Sequence, residues 1–159
     1  WKEMIRLRDQ GICRDLGVAN CHEHHIKRLY ECSGEYPLVN QVELHPLFTQ
    51  VSLKNYCEVH GIQVMAYSPT ARHDDRLFNP PLLMEIANKY GKSPTQIVLK
   101  WHIQNGVIPV IRSLNYAHQS EDIDIFDFEI SESDMKLING LNINARIRYD
   151  PDNCDFRCL

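Results

Sequence analysis

No apolar run in the 159-residue sequence comes near the ~20 residues that a membrane span needs. An excess of charge of either sign is missing too. The net charge is −4 and the pI about 6.0, so neither a nucleic acid nor an anionic membrane surface is indicated as partner. No basic segment runs into an apolar stretch as a secretory leader would, and the expected compartment is the cytoplasm. No P-loop and no Gly-x-Gly-x-x-Gly is present, which leaves a Rossmann-type nucleotide site without support. Low-complexity segments are absent as well. What is present, 43% hydrophobic and 24% charged residues, is the composition of a soluble globular chain long enough for one domain with its own core.

Cysteine is not scarce, at six residues. In a short secreted protein that number would suggest three disulfides. Here Cys13, Cys32 and Cys57 fall at helix ends and on amphipathic helices of a mixed α/β chain, so they read as reduced thiols packed as small apolar groups. Cys154 and Cys158 lie in a polar tail.

The organisation is a repeated strand-then-helix unit. Strands are expected at 14–20, 38–44, 62–68 and 107–113, and the first three begin 24 residues apart. Helices are expected at 23–32, 51–60, 81–90, 94–105 and 131–138, a spacing that suits βαβ crossovers and a parallel sheet. Ser93-Pro94-Thr95-Gln96 is a helix start, with Ser as N-cap, Pro in the first turn and Gln reaching back. Gly61, Gly91 and Gly106 each follow a helix, where a left-handed residue is expected. Residues 143–159 are polar and irregular and read as a tail. Trp1, Met4, Ile5 and Leu7 place the first residues inside a helical pattern, from which we expect a preceding N-terminal piece.

Strands end on polar residues: Ala19-Asn20, Glu43-Leu44-His45, Tyr67-Ser68 and Arg112-Ser113. In parallel α/β folds the C-terminal strand ends face the binding crevice. Tyr-Ser on one strand and Arg-Ser on another suit a planar, anionic ligand, because a guanidinium is a good phosphate partner. No metal site is expected. In Cys21-His22-Glu23-His24-His25 the second histidine of a zinc-protease motif would fall at 26, which is Ile26. Cys154-Asp155-Phe156-Arg157-Cys158 lacks the partner pair of a closed zinc site. Arg72-His73-Asp74-Asp75-Arg76 reads as a solvated loop.

Gly17-Val18-Ala19-Asn20, Val39-Asn40-Gln41-Val42-Glu43-Leu44-His45-Pro46, Ala66-Tyr67-Ser68-Pro69 and Val110-Ile111-Arg112-Ser113 stand in the order and spacing of the aldo-keto reductases. Lys92-Ser93-Pro94-Thr95-Gln96 with Leu99-Lys100-Trp101, Phe126-Asp127-Phe128-Glu129-Ile130-Ser131 and Arg148-Tyr149-Asp150-Pro151-Asp152-Asn153 add to the likeness. The last of these is similar to bacterial members. The resemblance implies half of a (β/α)8 TIM barrel over residues 1–142, comprising its last four parallel strands with their helices, followed by the tail.

The cofactor that the resemblance implies is NADP(H). Asn20 and Gln41 would then bind the nicotinamide carboxamide and Tyr67 would stack on the ring. Ser68 would lie near the pyrophosphate, and Arg112 and Ser113 would hold the 2′-phosphate end. Departures accompany these matches. Ala19 stands where the family commonly has Ser, which removes a hydroxyl contact worth roughly 0.5–1.5 kcal/mol. Arg112 replaces the usual lysine. His118 falls where a phosphate-gripping arginine is usual and Asp122 where an adenine-contacting asparagine is usual. A mostly neutral histidine and a carboxylate both weaken selection for a 2′-phosphate, so use of NAD(H) is expected as well, unless both are ordinary surface-helix residues.

The family's catalytic Tyr, Asp, Lys and His come from the first four strands and have no counterpart in this sequence. No catalytic residue is therefore assigned, and no carbonyl reduction is expected from this chain alone. Two readings stand: the cofactor-binding fragment of an NAD(P)(H)-dependent reductase of aldehydes and ketones, or a non-catalytic half-barrel module for cofactor binding or assembly. A half-barrel exposes sheet edges, so self-association is expected.

Overall fold

Each short run rich in β-forming residues is followed by a run of helical period. In the computed structural model, which describes residues 1–154, these runs become alternating strands and helices. Cys158 of the tail motif lies outside the described residues. The order is α1 (Lys2–Asp9), β1 (Gly17–Ala19), α2 (Glu23–Ser33), β2 (Val39–Glu43), α3 (Val51–Val59), β3 (Gln63–Tyr67), α4 (Asp75–Phe78), α5 (Pro81–Tyr90), α6 (Pro94–Gln104), β4 (Ile108–Pro109), α7 (Tyr116–Ile123) and α8 (Glu132–Asn139). A short turn, Ala71–His73, precedes α4.

The strands form one sheet in chain order, β1-β2-β3-β4. β1 and β2 pair in parallel, with Gly17 opposite Val39 and Ala19 opposite Gln41. Every step to the next strand passes through at least one helix, the connection that parallel strands require. The expected α/β class is the class observed.

The chain divides into two compact units. The first holds Trp1–Val42, Gln50–Met65 and the segment from Arg148, and the second holds Glu43–Thr49 and Ala66–Ile147. In the first, Leu16, Ile26, Leu53, Cys57, Ile62 and Val64 are buried. α2 is amphipathic in the simplest way, since Ile26 is its one buried residue. Asn40 is wholly buried on β2; its amide donates to the Cys21 carbonyl at 2.8 Å and fixes the backbone just beyond β1. Burial pushes the Cys21 and Cys57 thiols up from their ordinary range, which suppresses the reactive thiolate. Among the described residues Cys13, Cys21, Cys32, Cys57 and Cys154 are free thiols.

The second unit is built on α6. Residues Gln96 to His102 are all buried, so this helix is covered on every side, as a central helix must be. Several of its polar members have partners, although His102 Nδ1 is buried without one. Trp101 donates its indole N–H to Asn139 at 2.8 Å, and Lys100 lies with Nζ 5.5 Å from the Phe128 ring centre. His102 donates from Nε2 to the Pro69 carbonyl at 3.0 Å. The start of α6 is the one read from the sequence. Ser93 accepts from the Gln96 N–H at 3.2 Å, and the Gln96 side chain accepts from the Ser93 N–H at 2.9 Å.

All four strands are shorter than expected, β2 and β3 by one residue at each end and the outer two by more. β1 begins at Gly17 rather than 14, and Arg14 and Asp15 are exposed. β4 stops at Pro109, not at 113. One further bond, from the Val110 N–H to the Ala66 carbonyl at 2.8 Å, ends the pairing. Beyond α8 no further helix or strand occurs among the described residues. There the N–H groups of Ile143 and Ala145 both donate to the Leu47 carbonyl.

Candidate cofactor site

Each strand end delivers a different polar group. β1 is followed by Asn20 at φ +56, a left-handed position that asparagine tolerates better than most residues. Its N–H donates to the Gln41 carbonyl at 2.9 Å. Gln41 itself is half-buried within β2, opposite Ala19. Tyr67 is the last residue of β3 and half-buried. After it the backbone turns sharply, with Ser68, Ala71, Arg72 and His73 at φ +49, +52, +55 and +57. Non-glycine residues held there cost of order 1–3 kcal/mol each and gather at binding sites. The turn is held by Ala71 N–H to Ser68 carbonyl and His73 N–H to Thr70 carbonyl, each 2.9 Å, and from beneath by His102 on Pro69.

In the second unit this turn borders a cavity of about 820 Å³ lined by Ser68, Thr70, Arg72, His73 and Thr95 together with Arg112, Ser113, His118, Glu121 and Asp122. Five of the residues singled out in the sequence, Ser68, Arg112, Ser113, His118 and Asp122, thus meet at one opening. Arg112 and Ser113 are carried by the segment between β4 and α7 rather than by a strand. That segment is stiffened by its own turn: the Ser113 hydroxyl accepts from the Asn115 N–H at 3.1 Å. Asn115 in turn caps α7, accepting from the Ala117 N–H at 2.9 Å.

Two guanidiniums, Arg72 and Arg112, offer the cavity positive charge, and the His73 and His118 imidazoles line it beside them. Glu121 and Asp122 oppose them. The Asp122 carboxyl is pushed up, chiefly by burial and then by neighbouring Glu121. A second cavity, about 610 Å³, shares Ile111, Arg112, Ser113 and Asp122 with the first and is otherwise mostly apolar, with Leu99, Ile103, Ile125 and Phe126 on its wall. A charged end beside an apolar slot suits a ligand that is part phosphate and part ring. Asn20 belongs to the first unit, where it lines a cavity of about 730 Å³ with Trp1, Cys21 and His25. Gln41 and Tyr67 line none of these three cavities.

The family model of the aldo/keto reductases matches residues 1–73 and 75–143. The chain belongs to the aldo/keto reductase family. It is 38% identical over 154 residues to the 9,11-endoperoxide prostaglandin H2 reductase of Trypanosoma cruzi, covering 96% of this chain and 54% of that protein. With the methylglyoxal reductase DkgA of Escherichia coli it shares 36% identity over 152 residues, covering 96% and 55%. Among solved structures, a Bombyx mori aldo-keto reductase in complex with NADP superposes with a TM-score of 0.86 at 37% identity, over 96% of this chain and 52% of that one. This aldo/keto reductase chain therefore spans about half the length of the curated relatives it matches, and its sheet with covering helices corresponds to half of their barrel.

One strand-end expectation is overturned. Glu43, Leu44 and His45 are 0%, 1% and 0% exposed, so they offer nothing to a ligand. The Glu43 carboxylate instead accepts from His45 Nε2 at 3.0 Å and from the Ile147 N–H at 2.6 Å. A charged residue that buried must be paired, and here its partners are internal. Arg72 and His73, read from the sequence as a solvated loop, are exposed as expected. They also border the cavity with Arg112, a role the sequence does not announce. No residue type announces this, because the turn that aims them runs through left-handed residues that are not glycine.

Proposed function

We propose that this chain supplies the NADP(H)-binding part of a reductase that transfers hydride to an aldehyde or ketone. The observation that carries the reading is the cavity where Ser68, Arg112, Ser113, His118 and Asp122 converge. Its volume is within the roughly 300–1,000 Å³ of small-molecule sites, and its paired guanidiniums suit phosphate. The NADP complex of the silkworm relative and the methylglyoxal reductase among the bacterial ones point the same way.

In this reading Arg112 and Ser113 hold the 2′-phosphate end, joined by Arg72, and Ser68 lies near the pyrophosphate. Asn20 and Gln41 hold the carboxamide and Tyr67 stacks on the nicotinamide, which fixes the face it presents. NADPH, when bound, supplies the hydride. The chain has no counterpart of the family's catalytic Tyr, Asp, Lys and His, so we expect it to bind cofactor without reducing a carbonyl by itself. His118 and the Glu121–Asp122 pair lower the preference for a 2′-phosphate, which brings NAD(H) into use.

Cofactor titration followed by tryptophan quenching tests this. Arg112→Ala should weaken NADPH by about 10- to 100-fold, the worth of a charged hydrogen bond, and leave NADH nearly unchanged, because only NADPH carries the extra phosphate. Asp122→Asn should tighten NADPH more than NADH. Equal losses for both cofactors in Arg112→Ala would remove the phosphate role from this cavity.

A further inference from the structure

The sequence His22-Glu23-His24-His25 has no metal-ligand spacing of its own, but the fold of the first unit adds a fourth donor from far away. Asp152 lies against all three rings. His22 Nδ1 is 2.7 Å from its Oδ2, and His24 Nε2 and His25 Nε2 are 3.4 and 3.2 Å from its Oδ1. One ligand atom from each of the four residues falls within 4.8 Å of all the others.

We propose that His22, His24, His25 and Asp152 form a site for a divalent transition ion of the zinc type, which ties the C-terminal segment to the start of α2. Three imidazoles and one carboxylate are a complete tetrahedral donor set for such an ion. Bonds of about 2.0–2.1 Å put tetrahedral ligand atoms roughly 3.3 Å apart, close to the spacing of His24 and His25 from Asp152. The rings are stacked close, with the His24 and His25 centres 4.0 Å apart. One ion between the rings and the carboxylate would take one donor atom from each of the four residues.

The surroundings agree with this. His22 has Nδ1 towards the site, and its Nε2 lies 3.9 Å from Asp150, near that carboxylate but beyond hydrogen-bond distance. Glu23 is engaged elsewhere, accepting from the Ser52 hydroxyl. Neither Cys21 nor Cys154 belongs to the group. His25 needs one adjustment. Its Nδ1 accepts the His22 N–H at 3.1 Å, so ligation through Nε2 requires the ring to release that bond. Because Asp152 is 130 residues from His22, the ion would cross-link the start of α2 to the C-terminal segment.

Cobalt titration of the whole chain, followed by absorption, tests the site. The expected result is one ion per chain with tetrahedral d–d bands, displaced by zinc but not by magnesium. A zinc-induced rise in melting temperature should accompany it. Asp152→Asn is the decisive variant, and His24→Ala, at the most exposed ring, is the second; each should weaken binding by at least about tenfold and abolish the melting shift. Unchanged affinity in Asp152→Asn would reduce the site to a local histidine cluster. A thiolate charge-transfer band would move the ion to the cysteines. Either result, or no binding, overturns the proposal.

Discussion

His102 sits at full burial with its Nε2 proton committed to the Pro69 carbonyl, beside the turn that borders the cavity. Desolvation pulls its pKa down to about 4, against a smaller upward pull from that hydrogen bond. The unfolded chain, with an ordinary histidine near 6.5, therefore binds the proton first. Stability is full above pH 6.5 and falls as the pH drops from there towards 4, with a slope approaching about 1.4 kcal/mol per pH unit. Urea melts at pH 7.5 and 5.0 should show the loss, and His102→Gln should flatten it; a parent slope no steeper than the variant's would contradict the assignment. Asp134 works in a lower window. Its Oδ2 accepts from Lys89 at 2.7 Å, Tyr90 at 2.6 Å and Ser131 at 2.9 Å, and Lys89 with Tyr90 holds its pKa near 2. That contribution is present above the usual 3.8 and lost as the pH falls towards 2. Lys89 is 56% exposed and screened, so the weight rests on Tyr90 and Ser131. Asp134→Ala should cost about 1–3 kcal/mol in a denaturant titration. Neither role is legible in the sequence: both depend on partners at least 33 residues away, apart from Ser131.

Among the elements, α6 was the most legible. Ser-Pro-Thr-Gln forms the expected capping box, and Gln96 then reaches from it to the Glu121 and Asp124 carbonyls at 3.1 and 2.8 Å. The box thereby connects the start of α6 to the end of α7. Ser93→Ala should lower stability by about 1 kcal/mol, read from the shift of the urea midpoint at unchanged slope. Gly91 behaves as its position after α5 predicts, at φ +64 with nothing within 4 Å of an added Cβ. The strands were less legible at their ends. Alternation marks where a strand lies but not where pairing stops, and at β4 pairing ends with the Val110 bond to Ala66. The turn at Ala71–His73 was illegible, because its backbone conformation runs against the preference of every residue in it.

For the whole molecule, family and architecture follow from short motifs in a fixed order. The exposed apolar residues on and after β4 bear on association. Ile108, Val110 and Ile111 are exposed, Leu114 and Tyr116 are 88% and 84% exposed, and β4 is an outer strand of the sheet among the described residues. We expect copies of the chain to pair there, seen as a sedimentation coefficient that rises with concentration and is held down by Val110→Lys; a concentration-independent monomer would count against it. No helix of the described residues is long and apolar enough to cross a membrane. Alternation of β and helical runs, helix caps and the aldo/keto reductase motifs were determined by the sequence alone, since each depends on neighbours a few residues away. Tertiary structure alone decided that Arg72 and His73 join Arg112, that Glu43 and His45 turn inward, and that Asp152 meets three histidines. Those outcomes are set by where the chain's path brings distant side chains and by what it removes from water, which no local spacing encodes.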